Sequence, residues 1–321
     1  MNKTHQFFKL LILSIFASSL VILPGCKNSG KNKNTISISG AFALYPMAVR
    51  WAEEYQKLHP DVKINISAGG AGKGMTDALS QMVDLGMFSK EVSKEEKSKG
   101  AWWIAVAKDA VVATISPKNP AFEKLVSQGL TKEKFYNIFI KGELKTWGEA
   151  TGSENKDAVH VYTRSDACGA AEVWAKYLNN KKQEDLKGIG VNGDPGVADA
   201  VRKDPLGIGY NNLAFAYNVN TNKKYEGIEV VPIDINGNGK IDPDENFYGN
   251  LKDLVNAIKT GKYPSPPSRN LYFVSKNKPA NPAVLNFLKW ILTDGQKYVD
   301  EAGYVKISAE DLQAEQKKFK Q

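Results

Sequence analysis

A repeated unit constrains the fold most: a short β-branched segment, a loop of small residues, and then a helical pattern. The unit occurs as ISIS followed by GAFALYP, as VKINIS followed by AGGAGKG, and as AVHVYT followed by RSDACGA. A fourth, less regular loop, VNGDPG, precedes a helical pattern from Val197 to Val201, and Pro195 suits the first turn of that helix. Strands that alternate with helices are typical of an α/β fold with a largely parallel sheet.

Apolar residues at helical spacing predict a helix after each of the first three loops. They are Met47, Trp51, Tyr55 and Leu58, then Met75, Leu79 and Met82, then Ala171, Trp174 and Leu178. The N–H groups at a helix start are unpaired and carry partial positive charge, so each such junction can receive an anion. For one loop alone, glycine that merely permits a tight turn is the better interpretation. Several junctions together favour an anion pocket.

Composition narrows the class of protein. The chain has 321 residues, of which 42% are hydrophobic and 24% charged, as expected for a folded protein of about two domains. Its net charge of +8 is dispersed along the chain, and this predicts no nucleic-acid partner. With three histidines and two cysteines, the chain is poorly equipped for a zinc site or a disulfide framework.

The N-terminus has the pattern of an export signal. Lys3 and Lys9 precede an apolar run from Leu10 to Leu23, and the sequence LPGC ends at Cys26. The run is shorter than the roughly 20 residues that span a bilayer. The N-terminal segment that ends at Cys26 resembles a bacterial lipoprotein signal. This resemblance implies removal of residues 1–25, acylation of Cys26 and a flexible tether over 26–34. We therefore expect an exported protein that is lipid-anchored to the cell envelope.

Several longer segments identify a family. GAFALYP (40–46), AGGAGKG (68–74), VDLGMFSKE (83–91) and TRSDACGAAEVW (163–174) resemble the phosphate-binding proteins of high-affinity phosphate ABC transporters. This resemblance implies a two-lobed α/β periplasmic-binding-protein fold of type II, with a ligand cleft between the lobes and two hinge crossovers. It also implies a monomer without enzymatic activity that binds inorganic phosphate and delivers it to ABC permease subunits.

The resemblance also assigns the lobes and the binding residues. Lobe one would comprise 35–113 plus 272–321, and lobe two 114–271, with crossings near 111–117 and 270–274. Arg164 matches the arginine that grips phosphate, and Asp166 matches the acid that orients it. The remaining predicted phosphate-binding residues lie in the loops: Ala43, Leu44, Tyr45, Ala71, Gly72, Ser89, Cys168, Gly169 and Ala170.

The chain departs from the family at five of these positions. Well-known members carry Thr at Leu44, Ser at Ala71, Asp at Ser89, Ser at Cys168 and Thr at Ala170. Each lost hydrogen bond to a charged ligand is worth about 1.5–3 kcal/mol. Two alternatives therefore stay open: a binding protein for another oxyanion, and an exported interaction or signalling lipoprotein that kept the fold without transport.

Enzymatic alternatives fit less well. AGGAGKGMT lacks the first glycine of a nucleotide-binding loop, and Lys73 is followed by Gly74 instead of Ser or Thr. Cys168 at a helix start could be an activated thiolate, but only His59 and His160 could serve it as a base in the mature chain.

A separate motif predicts a structural calcium site. DINGNGKIDPDE (234–245) has the twelve-residue spacing of an EF-hand loop, although a predicted strand precedes it and a helix through Leu251, Leu254 and Ile258 follows. The predicted ligands are Asp234, Asn236, Asn238, Lys240 through its carbonyl, Asp242 and Glu245. The alternative is an Asn/Gly-rich turn with solvated charges. No cofactor is predicted for activity.

Overall fold

The computed structural model of the chain describes residues 34–320. The predicted signal peptide, Cys26 and nearly all of the predicted tether lie outside the described residues. Within the described part of the chain, no helix combines the length and the apolar character needed to cross a membrane.

A nine-stranded sheet forms the centre of the molecule, in the order β2-β1-β3-β11-β4-β7-β5-β6, with β10 also pairing with β4. β8 and β9 form a separate two-stranded sheet. The strands are β1 (Thr35–Gly40), β2 (Lys63–Ala68), β3 (Leu85–Phe88), β4 (Ala101–Ile115), β5 (His160–Arg164), β6 (Ile189–Val191), β7 (Gly207–Asn212), β8 (Tyr217–Asn218), β9 (Lys223–Lys224), β10 (Glu229–Val231) and β11 (Ser268–Lys276).

The sheet is parallel in two groups of three strands and antiparallel where these groups join. β1 pairs in parallel with β2 and β3, and β5 pairs in parallel with β6 and β7. Between the two groups, β11 runs antiparallel to both β3 and β4, and β4 runs antiparallel to β7. The predicted α/β class is confirmed, and the parallel pairing holds within each group.

Helices follow the strands as the sequence predicts. α1 (Tyr45–Leu58), α2 (Ala71–Leu79) and α7 (Gly169–Tyr177) begin within the three small-residue loops. α2 ends at Leu79, so Met82, which is 74% exposed, lies outside the helix to which the sequence pattern assigned it. The others are α3 (Lys94–Ser98), α4 (Phe122–Gln128), α5 (Lys132–Tyr136) continuing into a π-helical turn (Asn137–Lys141), α6 (Trp147–Thr151), α8 (Gly193–Lys203), α9 (Leu213–Ala216), α10 (Leu251–Lys259), α11 (Pro282–Ile291), α12 (Lys297–Glu301) and α13 (Ala309–Lys317), with 3-10 turns at Gln183–Asp185 and Asp294–Gln296.

Two hydrophobic cores lie along this sheet. The first core draws buried residues from 36–107 and again from 271–304. The second core draws them from 110–263, together with Val305. This partition resembles the predicted lobes, whose boundaries stay a prediction.

Strand β4 belongs to both cores. Its residues up to Ala107 pack in the first core, and those from Ala110 pack in the second. Twelve of the fifteen β4 residues are buried, as expected for a strand that is covered on both faces. β11 pairs with the first two-thirds of β4, from Ser268 opposite Ala110 to Lys276 opposite Ala101. The chain thus changes core near 107–110, slightly before the predicted crossing.

Candidate functional site

The small-residue loops lie at the carboxyl ends of strands β1, β2 and β5, where α1, α2 and α7 begin. β1 and β2 run side by side until Gly40 lies opposite Ala68. The N–H groups of Gly69 and Gly70 then both donate to the Gly40 carbonyl, at 2.9 and 3.1 Å. These bonds hold the start of α2 close to the start of α1.

Buried backbone donors are left unpaired at these helix starts. Neither Leu44 before α1 nor Gly70 before α2 caps its helix with a side chain. Among residues 34–320, no acceptor is found for the N–H groups of Ala43, Ala71, Gly169 and Ala170. Buried N–H groups are nearly always paired in proteins, because an orphan donor costs free energy. The arrangement therefore suits an anionic ligand.

The two cores meet at these loops. The N–H of Gly72 donates to the carbonyl of Ala167 at 2.9 Å, so the start of α2 contacts the loop before α7. A Cβ on Gly169 would lie 2.2 Å from the Ser89 hydroxyl oxygen. Only glycine allows α7 to begin this close to Ser89. The structure thus brings predicted residues from both sides of the cleft into contact.

Arg164 is the last residue of β5, and its side chain is only 1% exposed. Its Nε donates to Asp166 Oδ1 at 2.7 Å, and its Nη2 donates to Asp166 Oδ2 at 2.5 Å. The fork between guanidinium and carboxylate fixes the plane of the guanidinium. The guanidinium carbon also lies 5.4 Å from the centre of the Phe42 ring, in the first loop. Asp166 therefore orients Arg164 as the family resemblance implies, whereas the roles of both residues in binding stay a prediction.

Asp194 is a second carboxylate on Arg164 that the sequence analysis missed. It is fully buried in the first turn of α8 and accepts from Arg164 Nη1 at 2.5 Å. The backbone N–H and the side-chain amide of Asn212 hold its two oxygens at 2.9 and 2.8 Å. The sequence signal that could have identified Asp194 is the VNGDPG loop, because Asp194 is the acidic residue of this fourth strand–loop–helix junction.

The two carboxylates and burial determine the pKa values here. Burial lowers the pKa of Arg164, but the negative charges of Asp194 and Asp166 outweigh it and hold that pKa above its ordinary value. Burial raises the pKa of Asp166, but the hydrogen bonds and the charge of Arg164 bring it below the ordinary range. Arg164 and Asp166 are therefore both ionised at neutral pH.

Four other predicted backbone donors are already paired within the protein. The N–H groups of Leu44 and Tyr45 donate to carbonyls of the same loop, and that of Gly72 donates to Ala167. The N–H of Cys168 donates to Gln183 Oε1 at 3.0 Å, which removes it from the predicted set of ligand donors in this conformation.

The Cys168 side chain has a structural role in this fold. Its sulfur accepts from the N–H of Ala171 at 3.2 Å and so caps α7. Burial raises the pKa of its thiol to about 12. The side chain is therefore a neutral thiol, and the structure gives no support to a thiolate nucleophile.

A second buried charge pair lies on the crossing strands. Arg269 of β11 stands opposite Asp109 of β4, and Nη2 of Arg269 lies 3.6 Å from an Asp109 carboxylate oxygen. The same nitrogen donates to Asn212, while Nε donates to the Ser89 carbonyl at 3.4 Å. Arg269 thus connects both sides of the cleft to Asn212, the residue that holds Asp194. Burial raises the pKa of Asp109 to about 6, although the charge of Arg269 opposes this.

The 234–245 loop is closed by its own hydrogen bonds. Asp234 accepts from the N–H groups of Gly237 and Gly239 at 2.7 and 2.9 Å. Glu245 Oε1 accepts from two backbone N–H groups at 3.1 Å. Asp242 pairs with Lys240 at 2.8 Å, and these contacts lower the pKa of Asp242 to about 2, with the Lys240 hydrogen bond contributing most.

This arrangement does not gather the predicted calcium ligands around one point. Across residues 34–320, no group of three or more His, Cys, Asp and Glu side chains has an arrangement that could hold a metal ion. The side-chain amides of Asn236 and Asn238 present nitrogen, not oxygen, to Asp242, at 2.9 and 2.7 Å. The calcium site stays a prediction, and it requires these two amides to turn.

Comparison with curated proteins gives relatives over nearly the whole chain. Phosphate-binding protein PstS of Borreliella burgdorferi is 25% identical over 307 residues, which cover 93% of this chain and 99% of that protein. Phosphate-binding protein PstS of Pseudomonas aeruginosa is 29% identical over 309 residues, covering 88% of this chain and 86% of the relative. These matches confirm the resemblance seen in the sequence.

Solved structures and a family model give the same result. A Clostridium perfringens chain solved with bound phosphate has a TM-score of 0.69 at 22% identity and covers 86% of this chain and 100% of its own. An ABC-type phosphate transport receptor from Vibrio cholerae has a TM-score of 0.59 at 18% identity, with 85% and 100% covered. These likenesses show the fold. Because residues 27–295 match the model of the PBP superfamily domain, the chain belongs to the periplasmic-binding-protein (PBP) superfamily.

Proposed function

We propose that this chain captures inorganic phosphate between its two cores and delivers it to an ABC permease, without catalysing a reaction. The observation that carries the proposal is the set of unpaired, buried N–H groups at the starts of α1, α2 and α7, beside the buried Arg164. Relatives that bear the name phosphate-binding protein over nearly the full chain support the choice of phosphate.

The donors fit an oxyanion without the family's hydroxyl groups. A backbone N–H is present whatever the side chain, so Ala71 and Ala170 keep a donor where family members also have a hydroxyl. A guanidinium has five N–H groups, of which Asp166 and Asp194 engage three in Arg164. Two N–H groups of Arg164 are left for a ligand.

We further propose that the protein is exported and lipid-anchored through Cys26, and that it acts as a monomer. The charged start, the apolar run and the LPGC sequence support this localisation. The family match also begins at residue 27, directly after Cys26.

Calorimetric titration with phosphate, arsenate and sulfate tests the binding proposal. Phosphate should bind with one-to-one stoichiometry, and Arg164→Ala should weaken that binding at least thirtyfold. Arg50→Ala is the matched control, because Arg50 is a partly exposed arginine on α1, outside the predicted site, and should leave the affinity unchanged. If no oxyanion binds, the proposal fails and a signalling or interaction role is favoured.

Ser89 provides a test of ligand discrimination. Hydrogen phosphate carries a proton that sulfate lacks, and a carboxylate accepts such a proton better than a hydroxyl. Ser89→Asp should therefore sharpen the preference for phosphate over sulfate, as measured by the ratio of the two dissociation constants. An unchanged ratio would mean that Ser89 does not face the ligand.

We also propose that the 234–245 loop takes up calcium as a structural ion in an environment where calcium is abundant. The supporting observation is the EF-hand spacing of its oxygen-bearing side chains. Asp234, Asp242 and Glu245 would supply the carboxylates, once Asn236 and Asn238 present their amide oxygens.

A further inference from the structure

A large cavity lies beside the crossing strands and outside the predicted phosphate site. Its volume is about 1010 Å³. The walls come from the segment 90–96, from 172–176 of α7, from the end of α10 and from 268–272 of β11. None of the eleven predicted phosphate-binding residues is in its lining.

The lining of this cavity is strongly basic. Six cationic side chains face three carboxylates, Glu91, Glu96 and Glu172, which leaves a net charge of +3. The cations are Lys90, Lys94, Lys108, Lys176, Lys259 and Arg269.

Four of the six cations form no ion pair within the described residues, whereas Arg269 faces Asp109 at 3.6 Å. Of the five lysines, only Lys176 forms an ion pair within residues 34–320, with Glu91 at 2.9 Å. Glu96 is already engaged, because it accepts from the N–H of Ser93 at 2.7 Å and so caps α3. Lysines that surround a common cavity without carboxylate partners repel one another, and an anion between them relieves that repulsion.

Arg269 provides a second, independent observation. Its side chain is only 7% exposed, and it lines the cavity. Its Nη1 is buried and has no hydrogen-bond partner within the described residues. A buried guanidinium nitrogen without an acceptor costs free energy, so Arg269, whose Nη2 already faces Asp109, has a donor left for a second anionic partner.

We propose that this cavity is a second anion site, for a linear condensed phosphate of the tripolyphosphate type. The volume falls at the upper end of the 300–1,000 Å³ range of small-molecule pockets, far more than one orthophosphate fills. Lysine ammonium groups bind phosphate oxygens as point charges, without a fixed geometry, which suits a flexible chain of phosphoryl groups. Because both cores contribute to the walls, the bound chain would contact residues of both. This site is independent of the phosphate capture proposed above.

Titration of the full-length protein with sodium tripolyphosphate, in the presence of saturating orthophosphate, tests this inference. Tripolyphosphate should bind one-to-one while the Arg164 site is filled, and its affinity should fall as the salt concentration rises. The double variant Lys94→Gln/Lys259→Gln should bind tripolyphosphate at least tenfold more weakly and orthophosphate as before. Both lysines are exposed, so the fold should tolerate the change.

The matched control is Lys118→Gln/Lys156→Gln, which removes the same charge from exposed lysines outside the cavity. It should keep its tripolyphosphate affinity within twofold. The inference is overturned if tripolyphosphate does not bind, if saturating orthophosphate or Arg164→Ala abolishes its binding, or if both double variants weaken it equally. Orthophosphate titrated alone is a separate measurement: its failure to bind would refute the capture proposal and leave this one standing.

Discussion

Removal of Arg164 should destabilise the protein far more than removal of an arginine near the surface. The Arg164 side chain is 1% exposed and that of Asp194 is fully buried, so Arg164→Ala leaves a carboxylate charge in the interior without its partner. Breaking a buried ion pair in this way costs about 3–5 kcal/mol in the free energy of unfolding. In a domain of this size that corresponds to a fall on the order of 10 °C in melting temperature. Urea denaturation without ligand measures the free energy directly.

The physical reason can be isolated with a double variant. Arg164→Ala/Asp194→Asn has no uncompensated buried charge, and the side-chain amide that replaces the carboxylate could still bond to Asn212. The double variant should therefore be more stable than Arg164→Ala alone by about 1–3 kcal/mol, the cost of an unsatisfied buried polar group. Arg50→Ala, which loses a partly exposed pair with Glu54, should cost less than about 1 kcal/mol. The reasoning is refuted if Arg164→Ala costs no more than Arg50→Ala, or if the effects of the two substitutions at 164 and 194 simply add.

Three further outcomes follow from other parts of the structure. Because burial raises the pKa of Asp109 to about 6, the folded state keeps a proton that the unfolded chain releases near pH 4, so the free energy of unfolding should fall by about 2 kcal/mol between pH 4 and 7. Asp109→Asn should remove that fall in urea denaturation, and a variant that shows the same fall as the unmodified chain would contradict the assignment. Gly169→Ala places a Cβ 2.2 Å from the Ser89 hydroxyl oxygen and should weaken phosphate binding at least tenfold in calorimetry, whereas Gly249→Ala, where a Cβ meets open space, should not. If the two variants bind phosphate with equal affinity, the contact between Gly169 and Ser89 is absent from the bound state. Calcium should raise the melting temperature of the protein, and Glu245→Gln should abolish most of that rise. If calcium changes neither the melting temperature nor the rate of proteolysis of the 234–245 loop, the motif is only a turn.

The sequence was sufficient where the determinants are local. A β-branched segment, a small-residue loop and a helical pattern are set by neighbouring residues, so the starts of α1, α2 and α7 were predicted closely. The pairing of Arg164 with Asp166 is also local, since one residue separates them. The resemblance to a family supplied the remaining site assignments.

The missed features depend on long-range contacts. Asp194 is thirty residues from Arg164 along the chain, and Arg269 reaches Asn212 from a strand fifty-seven residues later. No spacing rule connects such positions, because the sheet order brings them together. The point within β4 at which the core changes has no local signal either, because buried apolar residues lie on both sides of it.

The division of the cores along the chain has a consequence for the order of folding. The second core is drawn almost wholly from the continuous stretch 110–263, so it can form once that stretch has been made. The first core takes its residues from 36–107 and 271–304, so it must wait for a segment that comes more than 160 residues later. Closing so long a loop costs conformational entropy, and contacts of high sequence separation slow folding. The second core is formed by the residues between these two segments. Once it has folded, Ala110 and Ser268 are neighbours, so the two segments of the first core are already close together when they pair.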